Sequence, residues 1–239
     1  MTDRLNERQL TGREMTHLVT LAEGHRLQKP VALAFAALQA DARAQGFDLA
    51  IASGFRSFER QLGIWNGKLS GQRPVHDDAG ECIALQALSD QERLHAVMRF
   101  SAIPGTSRHH WGTDLDVYDR AAMPADYTLQ LTPDEVAAGG LFDPLHCWLD
   151  QQMQAGLSHG FYRPYAHDRG GVACERWHLS YAPLAQTCEA HLDLTLLQAC
   201  WDDCSATEPL LLREAIEAQW PALWSRYIAV EEGWCLKGQ

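Results

Sequence analysis

The 239-residue chain lacks the features of membrane-embedded and disulfide-built proteins. Residues 1–8 are polar, and no apolar run that follows reaches the length of a signal-peptide core or of a membrane span. The chain has no internal repeat, no low-complexity tract and no Pro/Ser-rich linker. Its seven cysteines are odd in number and irregularly spaced, whereas a secreted disulfide framework favours an even set. We therefore expect reduced thiols and a cytoplasmic location.

Basic residues are also too few to balance the acidic ones, and the formal net charge is -11. An acidic surface argues against nucleic acid, anionic membranes and the polyanionic bacterial wall as partners. It leaves open a small cationic or zwitterionic ligand in a local pocket. The apolar fraction of 46% is ordinary for a globular protein, so we expect a single domain over residues 1–239, with the oligomeric state undetermined.

Hydrophobic periodicity predicts a mixture of helices and separated strands. Helices are expected over 29–45, 57–69, 89–100 and from 143 to about 156 or 160, followed by a mostly helical tail from about 183. Strands are expected over 47–55, 114–119 and 177–181. Along 114–119, Leu115 and Val117 point to one face, and Asp114, Asp116 and Tyr118 point to the other. This mixture predicts an α+β fold with a small antiparallel sheet flanked by helices.

Two short segments, 107–116 and 175–178, contain a set of potential metal ligands. His109, Asp116 and His178 provide two imidazoles and one carboxylate, which is a three-ligand set for a catalytic zinc with a fourth position left for water. Asp116 and His178 fall on the polar faces of two predicted strands, and Gly112 would allow a sharp turn between His109 and Asp116. Glu175 precedes the last ligand by three residues and is available as a base. The pattern indicates hydrolysis of an amide bond.

The pattern Ser-x-His-x-x-Gly-x-x-x-Asp, followed by Glu-x-x-His, resembles the zinc D-alanyl-D-alanine carboxypeptidases of the VanY type in the peptidase M15 group. A third motif, residues 55–61 (FRSFERQ), resembles an upstream segment of that family. The three motifs together cover roughly residues 50–181. The resemblance implies a small α+β domain whose antiparallel sheet bears the zinc. It assigns zinc binding to His109, Asp116 and His178, catalysis to Glu175 and Arg56, and substrate binding to Arg56, Gln61 and Ser107.

Several residues near these motifs admit two interpretations. Asp114 stands where the family typically has a small residue; it could orient a ligand histidine or simply be solvated. Arg56 could instead form a weak surface ion pair with Glu59. The loop 160–171, with its aromatics and Arg169, could line the cleft or be an ordinary loop. We expect Cys174 to be a packed cysteine, since the nearby His178 is better used on zinc.

A second possible metal set lies in the tail. It consists of Cys188, His191, Cys200 and Cys204. The spacing is helical rather than that of the tight turns typical of structural zinc sites, and we prefer buried thiols on helices there.

Three function classes remain. The first is an exopeptidase on peptidoglycan stem peptides, the second an endolysin-type wall peptidase, and the third a zinc-bearing module without turnover. The chain is acidic and repeat-free, unlike most endolysins, and Glu175 and all three ligands are present. In the cytosol, removing D-alanine from pentapeptide precursors would waste them, whereas trimming imported tetrapeptides would serve murein recycling. We therefore expect L,D-carboxypeptidase activity on muropeptides, with D,D activity on pentapeptides as the alternative.

Overall fold

The computed structural model describes residues 4–204 and 208–230. The helices are α1 (Glu7–Leu10), α2 (Lys29–Ala44), α3 (Phe58–Leu69), α4 (Asp90–Met98), α5 (Pro133–Val136), α6 (Asp143–Gln154), α7 (Ala182–Ala190), α8 (Leu194–Cys204), α9 (Arg213–Ala218) and α10 (Trp220–Leu223). The strands are β1 (Leu18–Thr20), β2 (Arg26–Gln28), β3 (Leu49–Ser53), β4 (Asp114–Asp119), β5 (Phe161–Tyr162) and β6 (His178–Tyr181). A 3-10 turn covers Arg108–Trp111, and a π-helical turn covers Trp224–Ile228.

The main sheet has four strands in the order β3-β4-β6-β5, and every neighbouring pair is antiparallel. A separate antiparallel hairpin is formed by β1 and β2. Leu115 and Val117 of β4 are fully buried in the hydrophobic core. Successive side chains of a strand alternate between its two faces, so Asp114 and Asp116 lie on the opposite face. The predicted α+β fold with a small antiparallel sheet is confirmed.

The helix starts follow capping signals in the sequence. The Ser57 side chain accepts a hydrogen bond from the backbone N–H of Arg60, and Ser89 forms a reciprocal capping box with Glu92. These bonds satisfy N–H groups that a helix leaves unpaired in its first turn. Gly46 has a φ of 91° just after α2, where glycine meets no steric penalty. The predicted helices are therefore present, although their ends differ by a few residues from the expected ones.

The tail helices pack against the motif-bearing part of the chain. They share one hydrophobic core with α3 and α4, to which Trp65 and Trp201 contribute. The Trp65 indole donates to the Leu211 carbonyl at 3.0 Å, and the Trp201 indole donates to the Pro104 carbonyl at 2.9 Å. This shared core favours the single-domain organisation, which stays a prediction. Of the predicted tail, residues 205–207 and 231–239 lie outside the described residues.

Several short elements were not predicted, namely the β1–β2 hairpin, the two-residue strand β5 and the four-residue helices α1 and α5. All of them are too short to show a hydrophobic period, and β5 pairs with β6, a strand of a later segment. No helix within the described ranges is long and apolar enough to cross a membrane.

Candidate metal centre and active site

Three elements bring the predicted metal ligands together. Asp116 of β4 and His178 of β6 are directly paired across the antiparallel ladder, which places their side chains next to each other on one face. His109 comes from the 3-10 turn that leads into β4. Gly112 ends this turn with a φ of 67°, and a Cβ there would lie 2.3 Å from the Leu18 side chain. The sharp turn expected at Gly112 is therefore present, and glycine is required by both conformation and space.

Both imidazoles lie close to the Asp116 carboxylate, each beside a different oxygen. His109 Nε2 lies 3.4 Å from Asp116 Oδ2, and His178 Nδ1 lies 3.3 Å from Asp116 Oδ1. All three ligand atoms lie within 4.8 Å of one another, and the three residues are buried. Zinc–nitrogen and zinc–oxygen bonds of about 2.0–2.2 Å imply ligand–ligand separations of roughly 3.3–3.6 Å in a tetrahedron. The donor set and its spacing thus agree with the predicted zinc cofactor.

The remaining ring nitrogens have partners that fix both imidazoles. His109 Nδ1 lies 2.9 Å from the Gly54 carbonyl oxygen, and His178 Nε2 lies 3.0 Å from Asp114 Oδ1. Both partners are acceptors, so each of these nitrogens carries the proton. The nitrogens that face Asp116 are therefore His109 Nε2 and His178 Nδ1. The two histidines would bind the ion through different ring atoms.

Asp114 is buried and contacts the ring of His178. Besides His178, it accepts hydrogen bonds from Arg108 Nε at 2.9 Å and from the Thr113 hydroxyl at 2.5 Å. Burial alone would raise the pKa of this carboxyl, but the Arg108 guanidinium and the His178 hydrogen bond bring the pKa below its usual value. Of the two interpretations of Asp114, the solvated one is wrong, because its side chain has no exposed surface.

Burial and neighbouring charges give the two histidines opposite proton affinities. Burial lowers the pKa of His109 to about 4, although Asp116 opposes that shift, so His109 is neutral near pH 7. Burial also disfavours a charge on His178, but the hydrogen bonds that its ring donates to Asp114, Asp116 and Glu175 outweigh burial and raise the pKa of His178 well above its usual value. Metal binding through His178 Nδ1 requires that this nitrogen carries no proton.

Glu175 lies beside the ligand cluster, in the loop before β6. The backbone N–H of His178 donates to the Glu175 carbonyl at 3.0 Å, and this turn places both side chains on the same side. Glu175 Oε2 lies 3.5 Å from His178 Nδ1, and the carboxylate borders the central cavity with 15% of its side chain exposed. A carboxylate at this position can reach a water molecule next to the ligands.

Arg56 and Ser107 border the same cavity, whereas Gln61 does not. Arg56 Nη1 donates to Gln61 Oε1 at 3.0 Å, and Gln61 Nε2 donates to the Ala102 carbonyl at 2.7 Å. Gln61 has no exposed surface, so the structure places it behind Arg56. Arg56 Nε is buried and has no hydrogen-bond partner. No ion pair between Arg56 and Glu59 occurs among the described residues. The arginine on the cavity wall therefore has one guanidinium nitrogen, Nε, without a protein acceptor.

The cavity has an apolar side that the sequence did not indicate. Met98 of α4, Val172 and two tail residues, Tyr227 and Ile228, contribute to it. The Tyr227 hydroxyl lies 2.8 Å from His95 Nδ1. The tail carries no motif, and only tertiary packing brings it here. The cavity volume is about 200 Å³. Sites for whole drug-sized ligands have roughly 300–1,000 Å³, so this cavity is smaller than such a site.

The loop 160–171 and Cys174, which follows it, lie near the cavity but only in part along its wall. Tyr165 of the loop 160–171 borders the cavity, whereas Arg169 does not. The prediction of a packed Cys174 is wrong: the residue is exposed, because it lies on the outer side of the loop that carries Glu175. Burial of part of its surface raises the pKa of its thiol, which does not favour a nucleophile.

The second possible metal set, in the tail, does not assemble. Within the described part of the chain, the group that could hold a metal ion is His109, Asp116 and His178. Cys188 and Cys200 are buried free thiols. His191 Nδ1 lies 2.6 Å from the Thr187 carbonyl oxygen. The preferred interpretation, thiols on helices, matches what the structure shows.

A buried His-Asp-His cluster with an adjacent glutamate defines a class of metal-dependent hydrolase sites. The family model of the VanY D-alanyl-D-alanine carboxypeptidases matches residues 24–184. The chain belongs to this family, as the motifs indicated, and is a hydrolase of peptide bonds.

Two curated relatives are uncharacterized proteins of Haemophilus influenzae. One is 45% identical over 104 residues, which is 42% of this chain and 71% of that protein. The other is 30% identical over 128 residues, which is 53% of this chain and 92% of that protein.

Three solved structures are also similar. The first is VanYB in complex with D-alanine-D-alanine, with 22% identity, 80% of this chain and 88% of that chain covered, and a TM-score of 0.49. The second is a VanY D,D-pentapeptidase mutant in complex with Zn(II), with 24% identity, coverage of 77% and 88%, and a TM-score of 0.49. The third is the LD-carboxypeptidase LdcB, with 20% identity, coverage of 79% and 80%, and a TM-score of 0.49.

Proposed function

We propose that this chain is a zinc-dependent carboxypeptidase that removes the terminal D-alanine from peptidoglycan stem peptides. His109, Asp116 and His178 would hold the zinc, and Glu175 would act as the base. The observation that carries the proposal is the shared cavity. It combines the ligand cluster, a carboxylate and an arginine whose buried Nε has no protein partner. Family membership supplies the substrate class.

The chemistry follows from the residues around the cluster. Bound zinc supplies a Lewis acid that makes water acidic near neutral pH and polarises a carbonyl. Glu175 would accept a proton from the attacking water and return it to the leaving nitrogen, so that one carboxylate serves as base and then as acid. Its Oε2, 3.5 Å from His178 Nδ1, is close to the ligand atoms without being one of them.

Arg56 would bind the terminal carboxylate of the substrate. A guanidinium forms paired, charge-assisted hydrogen bonds with a carboxylate, and Arg56 borders the cavity beside the candidate metal ligands. Gln61 would act indirectly, by holding Arg56 Nη1 at 3.0 Å. Ser107, which borders the cavity, would be a further donor to the same carboxylate. This arrangement favours an exopeptidase over an endolysin-type wall peptidase.

Within this class we propose L,D cleavage of tetrapeptides in cytoplasmic murein recycling. Cys82, Cys147 and Cys174 are exposed free thiols. Exposed free thiols are typical of a reducing compartment, where cleavage of pentapeptide precursors would oppose wall synthesis. The alternative is D,D cleavage of pentapeptides, which membership of the D-alanyl-D-alanine carboxypeptidase family favours.

The test is a comparison of kcat/KM for muropeptides ending in an L,D bond with kcat/KM for pentapeptides ending in D-Ala-D-Ala, with and without chelator. We expect release of free D-alanine, a preference for the tetrapeptide and loss of activity on chelation. A clear preference for the pentapeptide would select the D,D alternative. Internal cleavage without release of D-alanine would support the endolysin-type function instead.

A further inference from the structure

A chain of buried charged groups extends from the metal cluster into the tail. His178 Nε2 lies 3.0 Å from Asp114, and Arg108 Nε donates to the same Asp114 oxygen at 2.9 Å. Arg108 Nη1 donates to Glu189 at 2.6 Å. The other Glu189 oxygen accepts the Val230 backbone N–H at 2.9 Å. Asp114 and Arg108 have almost no exposed surface, and Glu189 has 17% of its side chain exposed.

Arg108 borders the cavity, but protein acceptors engage all three of its nitrogens. Beyond Asp114 and Glu189, its Nη2 donates to the Tyr162 hydroxyl at 2.8 Å and to the Ser180 hydroxyl at 2.9 Å. A guanidinium held at every nitrogen has one orientation, because its donors form a rigid fork. Arg108 is therefore arranged to hold Asp114 rather than to bind substrate, in contrast to Arg56 with its unpartnered Nε.

The buried charged groups Asp114, Arg108 and Glu189 stabilise one another. A buried carboxylate is costly without a cation beside it, so Asp114 can remain an ionised acceptor for His178 because Arg108 is present. Glu189 in turn helps to fix the orientation of the Arg108 guanidinium, because it accepts a hydrogen bond from Nη1 while Asp114 accepts one from Nε. Glu189 lies in α7, beyond the residues 24–184 that the family model matches. The helical tail therefore supplies a group that acts on the metal cluster.

We propose that Asp114, Arg108 and Glu189 are positioning residues for the metal ligand His178, and that the tail strengthens metal binding through Glu189. This inference rests on the proposed metal site. A carboxylate on the far nitrogen of a ligand imidazole fixes the ring and makes it a better donor, and loss of such a partner typically weakens metal binding about 10- to 100-fold. Glu189 acts on His178 through Arg108 and Asp114, so its loss weakens metal binding less than the loss of Asp114 does.

The experiment measures zinc affinity of the full-length, metal-free protein by competition with a chromogenic chelator, without substrate. The variants are Asp114→Asn, Glu189→Gln and the double variant, each checked for folding by circular dichroism. The control is Glu217→Gln, which removes a tail carboxylate that pairs with Arg213 at 2.9 Å on the protein surface. Activity is then measured with and without excess zinc.

We expect Asp114→Asn to weaken zinc binding about 10- to 100-fold, Glu189→Gln to weaken it less, and Glu217→Gln to leave it unchanged. Glu189→Gln should have no further effect once Asp114 is replaced, since it acts through that carboxylate. Excess zinc should restore the activity of Glu189→Gln. Wild-type zinc affinity in Asp114→Asn, or additive effects in the double variant, would overturn the proposal. If Asp114→Asn does not fold, wild-type affinity in Glu189→Gln overturns it alone.

These results are separable from the proposed function. A protein that binds zinc with the expected variant pattern but releases no D-alanine would refute the proposed activity and leave the positioning role intact. Conversely, active variants with unchanged zinc affinity would refute the positioning role alone.

Discussion

Replacement of Arg56 by alanine removes the cation that we assign to the terminal carboxylate of the substrate. Truncating one partner of a buried charge pair costs about 2–5 kcal/mol. Since about 1.36 kcal/mol corresponds to tenfold in rate, the range corresponds to a loss of roughly 30- to 5,000-fold in kcat/KM. Arg56 retains some exposure at the cavity wall, and solvent screening weakens such pairs. We therefore expect the lower part of that range, roughly 30- to 300-fold.

The assay is a cycle of two enzymes and two substrates. A stem peptide with a free terminal carboxylate and the same peptide as its terminal amide are each given to the wild type and to Arg56→Ala. The wild type should strongly prefer the acid. Arg56→Ala should treat the two substrates nearly alike, because the preference arises from one charge pair. Arg56→Lys keeps the charge but not the fork, and we expect an intermediate preference for the acid.

Two controls separate binding from folding. Arg60→Ala removes an exposed arginine from the first turn of α3, the helix that begins just after Arg56, and should leave the acid preference unchanged. Arg56→Ala also deprives the buried Gln61 Oε1 of its donor, which costs stability of about 1–3 kcal/mol. Chemical unfolding must therefore show that the variant is folded under the assay conditions. Equal wild-type rates on acid and amide would refute the assignment of Arg56 and favour an endopeptidase.

Three further predictions concern the same cavity. His109→Ala, Asp116→Ala and His178→Ala should each lose bound zinc and turnover; full zinc occupancy in any of them by metal analysis would contradict the ligand set. Glu175→Ala should retain zinc and lose about 10²- to 10⁴-fold in kcat, the range that general acid–base catalysis contributes, and a near wild-type rate would point to another base. Tyr227→Ala should raise KM more than it lowers kcat, because it removes apolar wall and touches no ligand; steady-state kinetics showing only a kcat effect would refute that role.

Much of the site could be predicted because its signals are local. The alternation along 114–119 assigns Leu115 and Val117 to the core and Asp116 to the opposite face, as the structure shows. Ser57 is recognisable as a helix cap from the sequence because the capping bond spans only three residues. Gly112 indicates a turn because glycine alone meets no penalty at positive φ. These properties depend on near neighbours in the chain.

Other features depend on pairings between distant segments. The register between β4 and β6, which sets Asp116 opposite His178, is determined by the whole sheet and not by either strand. Asp114 had two interpretations until burial and the contact with His178 distinguished them. Gln61 matched a family motif as a substrate-binding residue, yet only packing shows that it lies behind Arg56.

The sequence by itself determined the candidate ligands, their spacing, the candidate base and the class of fold, because motif chemistry and hydrophobic period are properties of short segments. The tertiary structure decided which nitrogen of each histidine faces Asp116, that Tyr227 of the tail borders the cavity, and that Glu189 of the tail contacts Arg108. The physical reason is that hydrogen bonds of buried groups must be satisfied by whatever packing brings close. Those partners lie 64 residues apart for Asp114 and His178, and 81 for Arg108 and Glu189.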